Sequence, residues 1–108
     1  DDLFERYRSS EDFIQKYIFP GGFLPSLGFM KSLIKKNNLN LLKVNSYPDD
    51  YAKTLATWRE NFLKVWSNIA PLGFDETFKR MWEFYLSYCE AGFKSKNIDL
   101  IQFSMSNK

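Results

Sequence analysis

Pro48-Asp-Asp-Tyr-Ala-Lys-Thr-Leu-Ala-Thr-Trp-Arg-Glu-Asn-Phe-Leu-Lys-Val-Trp-Ser-Asn-Ile69 is the stretch on which the reading of the fold turns. Leu55, Trp58, Phe62, Val65, Trp66 and Ile69 recur at helical spacing, with Lys53, Arg59, Glu60 and Lys64 between them. An amphipathic helix is therefore expected from Pro48 to Ile69, ended by Pro71 and Gly73. Next, Asp75 is placed to cap a helix with Phe78, Met81, Trp82, Tyr85, Cys89 and Phe93 on one stripe, broken by Asn97. Strand candidates flank this helical pair: Leu39 to Tyr47, which alternates apolar and polar residues after an Asn37-Asn38 turn, and Ile98 to Met105. Further upstream, a helix from Pro25 to about Asn37 gathers Leu27, Met30, Leu33 and Ile34 on one face and Lys31, Lys35 and Lys36 on the other. A short helix capped by Ser9 runs to Phe19, where Pro20-Gly21-Gly22 stops it. The expected order is αα-β-αα-β, mostly helical with two strands.

The 108 residues suffice for one small domain, and residues 1–108 are read as a single, partial one. A formal charge of +2, with 44% hydrophobic and 26% charged residues, excludes a disordered tail. The lone cysteine, Cys89, excludes an internal disulfide framework. No apolar run reaches the length of a membrane-spanning helix, and no signal-peptide pattern opens the chain. Because His is absent, no Ser-His-Asp triad, Cys-His pair or His-based zinc site can be assembled, and no metal site is expected. Aromatic residues make up 19%, more than so small a domain can bury completely, so some rings must meet a partner or line an apolar pocket. An isolated pair of strands is marginal in water. Further strands are expected to complete the sheet, and a chain opening on Asp1 fits a piece of something longer.

Three segments are candidates for function. In Tyr17-Ile-Phe-Pro-Gly-Gly-Phe-Leu-Pro-Ser26, two glycines between prolines make either a plain turn or a loop that a ligand can approach closely. In Tyr51-Ala-Lys-Thr-Leu-Ala-Thr-Trp58 the apolar stripe reads as core. Tyr51, however, stands at a helix N-terminus, where a phenol can donate to an anion that the dipole also favours. In Phe78-Lys-Arg-Met-Trp-Glu-Phe-Tyr-Leu86 and Cys89-Glu-Ala-Gly-Phe93, Cys89 reads as a small buried hydrophobe, and Glu83 and Glu90 as solvated charges. Lys31, Lys35 and Lys36 read as a solvated face, with contact to anionic phospholipid as the alternative.

In order and spacing these blocks, with Asn61-Phe62 and Gln102, resemble the C-terminal portion of cyclopropane-fatty-acyl-phospholipid synthases and mycolic acid cyclopropane synthases. The resemblance runs over about residues 13–103. It implies the C-terminal part of an α/β, Rossmann-like, S-adenosylmethionine-dependent methyltransferase fold, with the two strand candidates as its last two. It further implies methylene transfer to the double bond of unsaturated acyl chains of phospholipids. The resemblance implies S-adenosylmethionine and bicarbonate as the cofactors of a full-length parent, and neither is expected to bind this chain alone. Tyr51 matches the tyrosine that hydrogen-bonds bicarbonate. Phe19, Leu24, Leu55, Tyr85 and Cys89 match positions lining the acyl-chain pocket. No glycine-rich cofactor loop has a counterpart here, so no cofactor-binding residue is assigned. The implied setting is cytoplasmic, peripheral to the inner face of the membrane, with self-association and without nucleic acid. The alternative is a non-catalytic helical module that binds lipid or protein through its aromatic surface.

Overall fold

The computed structural model describes residues 12–20 and 22–108. They fall into two compact units: one holds the described residues up to Asn45 together with Ile101–Lys108, and the other is Ser46–Leu100, inserted between them in sequence.

In the first unit, Asp12 and Gln15 form a reciprocal box. The Asp12 N–H donates to Gln15 Oε1 and the Gln15 N–H to Asp12 Oδ1, each at 2.9 Å. The expected Ser9 cap lies outside the described residues. A single π-helical turn, Ile14–Ile18, stands in place of an ordinary helix. The Gln15 side chain also donates to the Gly22 carbonyl at 3.0 Å, tying the turn to the loop beyond it. Gly22 is needed there, since a Cβ would stand 2.9 Å from the Phe19 carbonyl oxygen.

Helix α1 (Leu27–Lys36) starts on Ser26, whose Oγ accepts the Phe29 N–H at 3.1 Å. Ile34 is its buried residue. Leu33, expected on the same face, is exposed, as are Lys31, Lys35 and Lys36. Asn38 turns the chain with φ of 58°, and β1 (Leu39–Ser46) follows. It pairs antiparallel with β2 (Ile101–Asn107) in a two-stranded sheet, so the strands find each other.

The second unit is built from α2 (Pro48–Lys64), the short α3 (Trp66–Ile69), a 3-10 turn (Ala70–Leu72) and α4 (Glu76–Lys94). The single helix expected to reach Ile69 breaks at Val65, where φ −102° and ψ 10° leave the helical region. Gly73, with φ of 104°, then reverses the chain. Asp75 caps α4 as expected, its carboxylate accepting the Phe78 N–H at 2.9 Å.

α2 and α4 run antiparallel. Tyr51 near the start of α2 meets Phe93 near the end of α4, while Phe62 meets Phe78. Ala52 and Leu55 from α2 and Leu86, Cys89 and Phe93 from α4 form the buried core of this unit.

The second strand begins three residues later than expected because α4 ends in a Schellman-type cap. The Lys96 N–H bonds the Phe93 carbonyl, the Asn97 and Ile98 N–H groups bond that of Gly92, and Lys96 takes φ of 64°. Ile98 is thereby folded onto Gly92, where a Cβ would lie 2.9 Å from the Ile98 side chain. Lys96, one residue before the expected breaker Asn97, adopts the left-handed conformation.

Replacing Asp75 with Ala leaves one N–H of the first turn of α4 without its acceptor. A loss of about 1 kcal/mol is expected, with Asp75→Asn close to the parent, as read by denaturant unfolding of the protein.

Candidate functional site

Tyr51 is the fourth residue of α2, and its N–H already donates to the Tyr47 carbonyl at 3.1 Å. The helix end itself carries Asp49 and Asp50, so carboxylates already occupy the first turn that the dipole favours for anions. Tyr51 therefore contributes through its phenol. The ring is half-buried and held edge-on between Trp58 (centroids 5.7 Å apart, 80°) and Phe93 (4.8 Å, 88°). Both are edge-to-face contacts, which fix the ring plane. Its hydroxyl makes no side-chain hydrogen bond within the described residues. No buried side-chain oxygen or nitrogen among them lacks a partner, so this oxygen is open to solvent or to a ligand.

Tyr85 and Cys89 lie one turn apart on α4, hydrogen-bonded to each other. Burial pushes the Tyr85 phenol above its ordinary 10.0. The charge and hydrogen bond of Cys89 add to this, and so does the nearby Tyr51. The Tyr51 ring packs on Phe93, one turn beyond Cys89 on α4, so the two phenols and the thiol gather in a cluster along this helix pair. Trp82 closes it on the α4 side, its ring 5.2 Å from that of Tyr85 and at 81°. Cys89 is buried, as its stripe implies, and Leu55, with 2% of its surface exposed, anchors the facing side of α2.

Thus Tyr51, Leu55, Tyr85 and Cys89 all belong to the α2–α4 pair. Phe19 and Leu24 belong to the other unit, where they are 52% and 53% exposed. Trp58, expected in the core stripe, is exposed on its far side while touching Tyr51.

Glu90 departs from its sequence-based expectation. It is not a solvated charge: the Arg59 Nη1 donates to its carboxylate and also to Ser87 Oγ at 3.1 Å. The signal was its position, four residues after Leu86 and three before Phe93, both buried, on the edge of the packed stripe. Among the described residues, no group of three His, Cys, Asp or Glu is placed to hold a metal, and no helix is long and apolar enough to cross a membrane.

The mycolic acid cyclopropane synthetase family matches residues 2–103. The tuberculostearic acid methyltransferase UfaA1 of Mycobacterium tuberculosis is 44% identical over 91% of this chain and 23% of its own length. The cyclopropane-fatty-acyl-phospholipid synthase of Escherichia coli K12 is 35% identical over 89% of this chain and 25% of its own. In three dimensions the chain resembles the cyclopropane synthase MmaA2 from Mycobacterium tuberculosis with a TM-score of 0.80 and 28% identity, over 94% of this chain and 34% of that one. It resembles the mycolic acid cyclopropane synthase CmaA1, solved with SAH and CTAB, with a TM-score of 0.82 and 30% identity, over 96% and 35%. The chain spans about a quarter of the length of the curated relatives it matches.

Two measurements check the cluster. Cys89 is expected to react with a thiol reagent far more slowly in the folded protein than after unfolding. Tyr85 has a folded pKa above the unfolded one, so the stability it contributes is complete below about pH 10 and is lost as pH rises through the folded value. Tyr85→Phe is therefore expected to flatten the fall of Tm with pH above about pH 10, and parallel curves for the two proteins count against the shift.

Proposed function

Because the chain belongs to the mycolic acid cyclopropane synthetase family, we propose that the whole protein transfers a one-carbon unit from S-adenosylmethionine to the double bond of an unsaturated phospholipid acyl chain, in contact with the membrane that holds it. The observation that carries this reading is the cluster of Tyr51, Tyr85 and Cys89 on α2 and α4, within a chain that matches the family along nearly its whole length.

S-adenosylmethionine supplies the carbon in this reading, and no residue of this chain is assigned to its pocket. β1 is followed by Tyr47 and then directly by Pro48 of α2, with no glycine-rich turn between them. The cofactor would be held elsewhere in the whole protein, and no step here is derived through it.

This chain's own share is the acyl side of the site. Leu55 and Cys89 in the α2–α4 pair, and separately Phe19 and Leu24 in the other unit, are the apolar residues proposed for the acyl chain. Tyr85 stays protonated well beyond neutral pH, so it presents a neutral ring and hydroxyl to the chain. The Tyr51 hydroxyl, with no partner among the described residues, fits a donor to a small anion, and bicarbonate is the anion proposed, there to accept the proton lost on ring closure. Tyr51 would orient it, with Trp58 and Phe93 holding the phenol ring in place.

The decisive variant is Tyr51→Phe in the whole protein. It removes one hydrogen bond to an anion, worth roughly 1.5 to 3 kcal/mol, and so a loss of about ten- to a hundredfold in turnover is expected. The ring contacts survive, so Tm should not move. Unchanged turnover on vesicles of monounsaturated phospholipid, with bicarbonate present, would remove the role of Tyr51.

A further inference from the structure

α2 and α4 are held together mainly by apolar and aromatic side chains. Leu55, Leu86, Cys89 and Phe93 bury apolar area, and ring pairs join Tyr51 to Phe93 and Phe62 to Phe78. The hydrophobic driving force is itself non-directional, whereas the edge-to-face rings orient only the residues that make them. Arg59 adds a directional link between these helices, its Nη1 reaching both Ser87 and Glu90. Ser87 and Glu90 are three apart and share a face of α4, so one guanidinium nitrogen grips a full helical turn.

The link sits where register matters for the cluster. Arg59 stands one turn beyond Leu55 and two beyond Tyr51, whereas Glu90 is adjacent to Cys89 and five residues past Tyr85. We propose that Arg59 and Glu90 are a positioning pair that sets the axial register of α2 on α4, and with it the place of the Tyr51 hydroxyl relative to Tyr85 and Cys89. The effect on turnover rests on the acyl-chain reading above; the register itself does not.

Stability alone is a weak account of the pair. The side chains are only 31% and 17% exposed, so both charges have lost much of their water. A partly buried ion pair replaced by apolar groups of similar volume often leaves stability unchanged or raised. Directional bonds differ from apolar ones in selecting a single register, and misplacement by about 1 Å at a reacting group can cost a hundredfold in rate.

The test uses the double variant Arg59→Met/Glu90→Leu in the whole protein, which removes both charges and leaves neither orphaned. With S-adenosylmethionine and vesicles of monounsaturated phospholipid, kcat is expected to fall about tenfold or more, with KM for the lipid and Tm nearly unchanged. Glu90→Gln keeps an acceptor for Arg59 and is expected to retain most of the parent kcat. A double variant with parent kcat overturns the proposal, as does one in which KM rises while kcat stays. If the unaltered protein turns over no acyl substrate, the acyl-chain reading fails, and the register is then read from Cys89. Several-fold faster thiol modification in the double variant at unchanged Tm supports the pair as a register lock, and equal rates overturn it.

Discussion

The seating of Leu55 of α2 among the inward residues of α4 is the interaction on which the described site depends. Leu55 is the most buried of the described core residues, with Ala52 one turn earlier at 4% exposure, where the small side chain admits close approach. Burying a leucine side chain fully is worth roughly 1.5 to 3 kcal/mol. Leu86, Cys89 and Phe93 repeat at the three- and four-residue spacing that gives α4 a matching stripe. The residues assigned to function on α2 and α4 hang from this seam. Tyr51 lies one turn before Leu55, Arg59 one turn after it, and Tyr85 and Cys89 flank Leu86 on the opposite helix.

The seam was legible because periodicity is a property of a single helix. The stripe of α4 and the capping role of Asp75 could be read from neighbouring residues alone. Features made by contact between segments could not. Val65 is an ordinary helix residue by spacing, yet the chain leaves helical geometry there and α3 starts afresh. Ile98 looks like the first residue of a strand, but the Gly92 carbonyl captures its N–H and Gly92 gives its side chain room. The link from Arg59 to Glu90 spans thirty-one positions and exists only once the helices are antiparallel.

Of the candidate site, Tyr51 was found by its place at a helix start, although the reason shifted. The dipole argument predicts that the helix end recruits an anion, but Asp49 and Asp50 already complement it. The phenol hydroxyl is the group left available. Tyr85 and Cys89 entered through the family resemblance, and periodicity alone gives them no more than a place in the stripe. Their hydrogen bond and the upward shift of Tyr85 come from i, i+4 geometry combined with burial under the helix pair.

The electrostatic character of the cluster arises from these same contacts. Burial and the neighbouring thiol keep Tyr85 neutral, and the half-buried charges of Arg59 and Glu90 compensate each other across the helices. The cluster therefore presents neutral donors on aromatic rings, with Asp49 and Asp50 as the charges just before Tyr51 at the start of α2. In such surroundings a single hydrogen bond to an ion is stronger than it would be in water, because less solvent competes with it. The placement of one hydroxyl then carries more weight than the overall charge of the chain. A geometry-sensitive site of this kind needs its two helices held at one setting, and the Arg59 link adds directional bonds to the packed seam of Leu55, Leu86, Cys89 and Phe93.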